Sequence, residues 1–178
     1  MILALPIFYL SILTMFLLIL NWLIFQQLKI ILSLESQFKY FIEKSQNDIL
    51  SVEESFAFAK ACVAKKCFSR AIIEGQLAIK KSLQLNDKEG SIIIANLHNM
   101  LGFIYSEAKQ LNIAKSFYQQ ALQINPNYVV ALNNLAKVYE DTKDLTKAEA
   151  IYDKVLTLNL DNKIANRRKN YITKNRNA

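Results

Sequence analysis

The stretch NMLGFIYSEAKQLNIAKSFYQQALQINPN, residues 99–127, is echoed by NNLAKVYEDTKDLTKAEAIYDKVLTLNLD, residues 133–161. Leu101 is answered by Leu135, Tyr105 by Tyr139, Ala114 by Ala148 and Tyr118 by Tyr152, each 34 residues on. A fixed period of this size marks stacked units that cannot bury their apolar faces alone. With 3 glycines and 2 prolines in 178 residues, the chain is poor in the residues that turn a β-rich fold. The repeating unit is therefore read as two helices joined by a turn.

The residue types at the repeated positions have a packing logic. Small residues at Gly102, Ala114, Ala136 and Ala148 let two helices cross closely where a leucine would clash. Tyrosines are large plugs that bury an aromatic face and keep a hydroxyl for a partner. Ala121 continues the small set, and Pro126 stands where a helix should stop. A weaker copy comes first: Phe58 and Ala59, then Cys62 at the tyrosine position, then Ala71, Gly75 and Ala78. From Ala71 to Ala114 is 43 residues, nine more than one repeat, and the surplus falls at LQLNDKEGS, residues 83–91. That segment is expected to be a longer second helix and a polar loop.

The pattern Leu101-Gly102-x-x-Tyr105, Ala114, Tyr118, Ala121, Pro126 resembles the tetratricopeptide repeat superfamily at every hallmark except an early Trp, which here is His98. The second copy reads Leu135-Ala136-x-x-Tyr139, Ala148, Tyr152 and Val155, with Leu160 where Pro would stand. The resemblance implies an all-α fold: a right-handed α-solenoid of three repeats, about 52–85, 95–128 and 129–162 within 51–162. Residues 163–178 are expected to form a basic capping helix and tail, with Ile164 and Tyr171 facing the last repeat.

The front of the chain is of another kind. No charge appears before Lys29, and ILALPIFYLSILTMFLLILNWLIF exceeds the roughly 20 apolar residues needed to span a bilayer. A cleaved signal would have an early positive charge and a small-residue cleavage site, and neither is present. Residues 1–28 are expected to be an uncleaved transmembrane anchor. Lys29, Lys39 and Lys44 follow it, so the positive-inside rule keeps the repeats on the cis side: cytosol, stroma or matrix. From Gln26 to Leu50 the apolar residues Leu28, Ile31, Leu32, Phe38, Phe41, Ile42 and Ile49 fall largely at spacings of three and four, so the membrane helix is expected to continue as an amphipathic linker helix over 29–50. It could lie on the membrane, pack under the repeats or dimerise.

The net charge of +7 is concentrated at the end. Lys163, Arg167, Arg168, Lys169, Lys174 and Arg176 follow Asp161 with no acid among them. The other basic residues nearly balance the 15 acidic ones. The tail reads as a solvated terminus or as a contact for anionic lipid headgroups. Near-neutral repeats argue against nucleic acid, whose affinity comes chiefly from phosphate neutralisation. Cys62 and Cys67 have neither metal nor CxxC spacing, and one histidine cannot complete a zinc site. The chain holds no Gly-rich phosphate loop, nucleophile elbow or paired carboxylates with a base, so neither an enzyme nor a bound cofactor is expected.

The superfamily resemblance implies that the first helix of each repeat lines a concave groove. Phe56, Lys60, Asn99, Phe103, Asn133 and Lys137 are the expected partner-binding residues, a mixed apolar and amide set suited to polypeptide. At the positions where some superfamily members grip a chaperone's C-terminal carboxylate stand Phe56, Lys60, Met100, Val130 and Asn134, which disfavours that ligand. One span, a short linker and three repeats together resemble the family of plastid-encoded and cyanobacterial membrane-anchored tetratricopeptide proteins implicated in photosystem I assembly. That resemblance implies a single-pass thylakoid protein with stromal repeats, whose partners are photosystem I subunits or assembly factors. An anchored receptor or biogenesis factor for other polypeptides is the alternative.

Overall fold

The computed structural model describes residues 4–85 and 88–176, which form eight helices and no strand. They divide into two units, 1–48 and 49–178.

The first unit is one helix, α1 (Ala4–Asn47). The anchor runs on into the linker as one helix, as expected, because nothing in QQLKIILSLESQ breaks a helix: it has no proline or glycine. From Phe8 to Leu32 its large apolar side chains are exposed. It is long and apolar enough to cross a membrane. The expected linker boundary at 50 falls too late, since the helix ends at Asn47 and Leu50 is buried in the second unit.

The second unit comprises α2 (Val52–Ala64), α3 (Phe68–Leu85), α4 (Lys88–Glu107), α5 (Leu111–Ile124), α6 (Val129–Asp141), α7 (Leu145–Leu158) and α8 (Lys163–Arg176). Successive helices pack pairwise, and the odd-numbered row α3, α5, α7 alternates with α2, α4, α6. Ser51 starts the unit with a reciprocal cap: its hydroxyl accepts from the Glu54 N–H at 3.2 Å, and Glu54 accepts from the Ser51 N–H at 3.0 Å.

Within each pair the turn is the same. Lys66, Lys109 and Lys143 take φ of 60°, 60° and 67°, ending α2, α4 and α6 in the left-handed conformation. The next N–H then reaches back five residues: Cys67 to the Cys62 carbonyl, Gln110 to Tyr105, and Asp144 to Tyr139, at 2.8–2.9 Å. With the companion bonds from Lys66 to Val63, Lys109 to Ser106 and Lys143 to Glu140, these are Schellman turns. One residue later the second helix begins, so its axis is set by the turn and not by a flexible loop.

The repeated small residues sit where the helices cross. A Cβ on Gly102 would lie 2.6 Å from Cε1 of Tyr118, so the tyrosine ring rests directly on the α4 backbone. Ala114, Ala136 and Ala148 are fully buried, as are Leu101, Ala121, Tyr118 and Tyr152 to within a few per cent. Leu135, Tyr118 and Val138 form one cluster; Leu132, Tyr152, Val155 and the capping residues form the next. Tyr105 and Tyr139 are only half-buried. Tyr105 stacks on Phe117 at 5.4 Å, and Tyr139 lies under the Lys115 and Lys147 ammonium groups. Pro126 is exposed and follows the end of α5, so it stops a helix without packing in the core; its carbonyl accepts from Lys154 Nζ at 2.9 Å.

Two expectations need correction. The surplus at 83–91 lengthens the second helix as expected, Leu83–Leu85 extending α3, but Lys88–Ser91, expected in a polar loop, open α4, which begins ahead of the expected repeat start at 95. Asn86 and Asp87 lie outside the described residues. The cap α8 exists but docks in another phase, burying Ala165 and Ile172 while Ile164 and Tyr171 stay 52% and 59% exposed. Carboxylates on α6 and α7 choose this phase. Arg176 grips Glu149 through both terminal nitrogens at 2.6 and 3.2 Å, Lys169 meets Asp153 at 2.5 Å, and Arg168 approaches Glu140 at 3.5 Å. Half of the basic tail is thus turned inward onto the solenoid, which weakens its reading as a lipid contact.

Gly102→Ala forces the Tyr118 ring off α4 and is expected to cost about 1–3 kcal/mol. Gly75→Ala meets first the flexible Met100 methyl, at 3.3 Å, and is expected to be neutral or stabilising through helix propensity. Thermal melts of the full chain in detergent compare the two directly; equal effects would contradict the packing assigned to Tyr118.

Candidate functional site

The helices α2, α4 and α6 stack side by side, and the six expected groove residues lie on them. Between α2 and α4 a cavity of about 320 Å³ is lined by Phe56, Lys60, Asn96, Asn99, Met100 and Tyr128. Three of the six expected residues, Phe56, Lys60 and Asn99, meet there. Lys60 Nζ lies 5.5 Å from the Phe56 ring centroid, a cation–π arrangement that leaves the lysine exposed. Asn134 on α6 donates to Asn99 Oδ1 at 2.9 Å, and Tyr128 lines the cavity beside Asn99. Burial pushes the Tyr128 hydroxyl above its ordinary pKa, so it remains a neutral donor or acceptor through the physiological range.

The other three expected residues are placed differently. Phe103 on α4 is 39% exposed and Lys137 on α6 is exposed, both outside that cavity. Asn133 is only 9% exposed, and its Oδ1 has no hydrogen-bond partner among the described residues. It is a buried acceptor, not the open groove contact expected from its position. Tyr128 went unnoticed in the sequence because it precedes α6 and follows Asn125-Pro-Asn, a turn without helical periodicity. The bonds Tyr128 N–H to the Asn125 carbonyl at 3.1 Å and Leu132 N–H to the Tyr128 carbonyl at 3.0 Å hold it there.

A second notch of about 510 Å³ lies among α3, α4 and α5, lined by Gln76, Ile79, Lys80, Leu83, His98, Leu101 and Phe117. His98, at the position of the superfamily's early Trp, is one of the lining residues. Its ring lies 6.0 Å from Phe117, and its buried Nδ1 has no partner among the described residues. Among those residues no cluster of His, Cys, Asp and Glu could hold a metal.

The comparisons with known proteins agree with this architecture. Residues 93–161 match the tetratricopeptide repeat model. The ycf37 protein of Pyropia yezoensis is 75% identical over 99% of both chains. The chain belongs to the ycf37 family. The ycf37 protein of Porphyra purpurea is 60% identical over 97% of this chain and 99% of its own length. Among solved structures, the first tetratricopeptide repeat domain of Spaghetti (RPAP3), bound to an HSP90 peptide, superposes with a TM-score of 0.62. It covers 72% of this chain and 94% of its own at 16% identity, a likeness of fold. Tetratricopeptide repeats are protein-interaction modules, and this ycf37 family member carries one with a built groove.

Burial lowers the His98 pKa below its ordinary value of about 6.5. The unfolded chain therefore takes up this proton before the folded one does. The stability that His98 contributes is present above pH ~6.5 and is lost as the pH falls below it. Melting temperatures measured from pH 7 to pH 5 are expected to fall less steeply for His98→Phe than for the parent. Parallel slopes would remove His98 as the origin.

Proposed function

We propose that the chain is a membrane-anchored scaffold that assists the assembly or stability of photosystem I, sitting in the plastid thylakoid membrane with its repeats on the stromal side. The observation that carries the interaction part is the cavity formed by Phe56, Lys60 and Asn99. It joins an aromatic face, a cation and amides held in a hydrogen-bonded network, the mixture that binds polypeptide. The length and predominantly apolar surface of α1 support the anchor, and Lys29, Lys39 and Lys44 beyond its apolar part support the orientation. The photosystem assignment is supported by the family resemblance of the whole chain.

The mechanism needs no turnover. Anchoring confines the repeats to the membrane surface, where a modest groove affinity becomes useful occupancy through effective concentration. The groove would hold a subunit or another assembly factor while membrane-embedded partners meet.

The test is retention of partners by the intact protein in mild detergent, beside Phe56→Ala and Lys60→Glu variants. Phe56→Ala is expected to cost about 1–2 kcal/mol of client binding, roughly a tenfold weakening. Photosystem I subunits enriched by the parent and lost from both variants support the reading. Retention of unrelated precursor polypeptides in their place would keep the groove and shift the assignment to a membrane receptor or biogenesis factor. Retention unchanged by either variant would remove the groove as the site.

A further inference from the structure

The three Schellman turns put the side chains of two residues five apart on the same side of the chain reversal, where they commonly touch. In the second repeat those residues are Tyr105 and Gln110, and in the third Tyr139 and Asp144. In the first they are both cysteines. Cys62 is the third residue from the end of α2, and the Cys67 N–H closes on its carbonyl at 2.8 Å. Both are free thiols, Cys62 buried and Cys67 exposed, and the Cys67 thiol donates to the Lys65 carbonyl at 3.8 Å. A disulfide needs Cα atoms about 4.4–6.8 Å apart with converging Cβ atoms, and a six-residue turn closed by a bond between its two ends brings its termini to such a separation.

We propose that Cys62 and Cys67 are a reversible dithiol–disulfide pair, a redox modification site across the α2–α3 turn, oxidised by a low-molecular-weight disulfide of the glutathione class.

The two thiols have unequal parts in the exchange. Cys67, being exposed, meets the oxidant first. As thiolate it attacks one sulfur of the small disulfide; the S–S bond breaks, one small thiolate leaves, and Cys67 carries a mixed disulfide. Cys62 then attacks the Cys67 sulfur, its proton passing to the departing small thiolate. A protein S–S bond forms and the second small thiol leaves. Two electrons pass from the protein pair to one small disulfide, which becomes two thiols. Burial, with the nearby Cys67 and Glu74 groups, pushes the Cys62 thiol up to about 11, so it reacts by delivery from its neighbour and not with bulk oxidant. The ring closed is short and constrains little of the unfolded chain, which suits a reversible modification better than a structural cross-link.

The site lies on the helix that supplies Phe56 and Lys60 to the groove, yet its chemistry is independent of what the groove binds. The test uses the full chain in detergent, equilibrated with mixtures of reduced and oxidised glutathione, trapped with acid and read by intact mass. The parent is expected to convert to a monomer lighter by two hydrogen atoms, with little glutathione attached. Cys62→Ala should stop at a glutathione adduct on Cys67. Cys67→Ser, a surface change that leaves the core intact, should remain reduced while folded. A parent that stops at the Cys67 adduct, or joins into disulfide-linked dimers on non-reducing gels, would overturn the proposal. So would a Cys67→Ser chain that takes up glutathione as fast as the parent.

Discussion

At Gly102 there is no space for one more carbon. The Tyr118 ring occupies the position where a side chain would begin, and this contact sets how closely α4 and α5 cross. The third pair repeats the arrangement in softer form, with Ala136 and Tyr152 in one buried cluster. The first pair inverts it. Gly75 stands where the other repeats have a tyrosine plug, and the vacancy is filled from the next repeat by Met100, Leu101 and Leu97 of α4. The first and second repeats are thereby interlocked, which offsets the missing ring. Close packing of this kind tolerates little volume change, since interiors are as dense as organic crystals.

The polar residues follow from the same geometry. Where α4 and α6 lie side by side, amides meet across the seam. Asn134 bridges to Asn99, and Tyr128 lines the same cavity. Tyr152 donates its hydroxyl to Glu140 at 2.5 Å, and Arg168 of the cap approaches the same carboxylate. A buried carboxylate is tolerable only when its oxygens are met. The cap thus seals the last repeat chemically as well as sterically. Burial first, and then the Glu140 contacts, raise the Tyr152 pKa, so its hydroxyl is a neutral donor through the physiological range.

Much of this was legible in residue order because the repeat is periodic. Leu101, Ala114, Tyr118 and their counterparts announce a helix pair every 34 residues, and the structure buries them as that period requires. The groove was half legible. Phe56, Lys60 and Asn99 lie on helices whose phase the repeat sets, whereas Tyr128 belongs to a turn and reaches the cavity only through the path of the chain after Pro126. Asn133 was misread because its position in the repeat fixes which face it occupies but not how deeply the neighbouring helices cover that face.

The cap shows the limit most plainly. Ile164 with Tyr171, and Ala165 with Ile172, have the same spacing of seven, so apolar pattern alone cannot select between them. Docking against α7 selects the second pair: a small alanine allows close approach, and Arg168, Lys169 and Arg176 then meet Glu140, Asp153 and Glu149. By itself the sequence determined the repeat, its helix pairs, the small-against-aromatic crossings and the long apolar helix at its front, because each is a matter of local period and composition. Only tertiary structure decided the phase of α8 and the place of Tyr128, because each depends on how chain segments lie against one another in space.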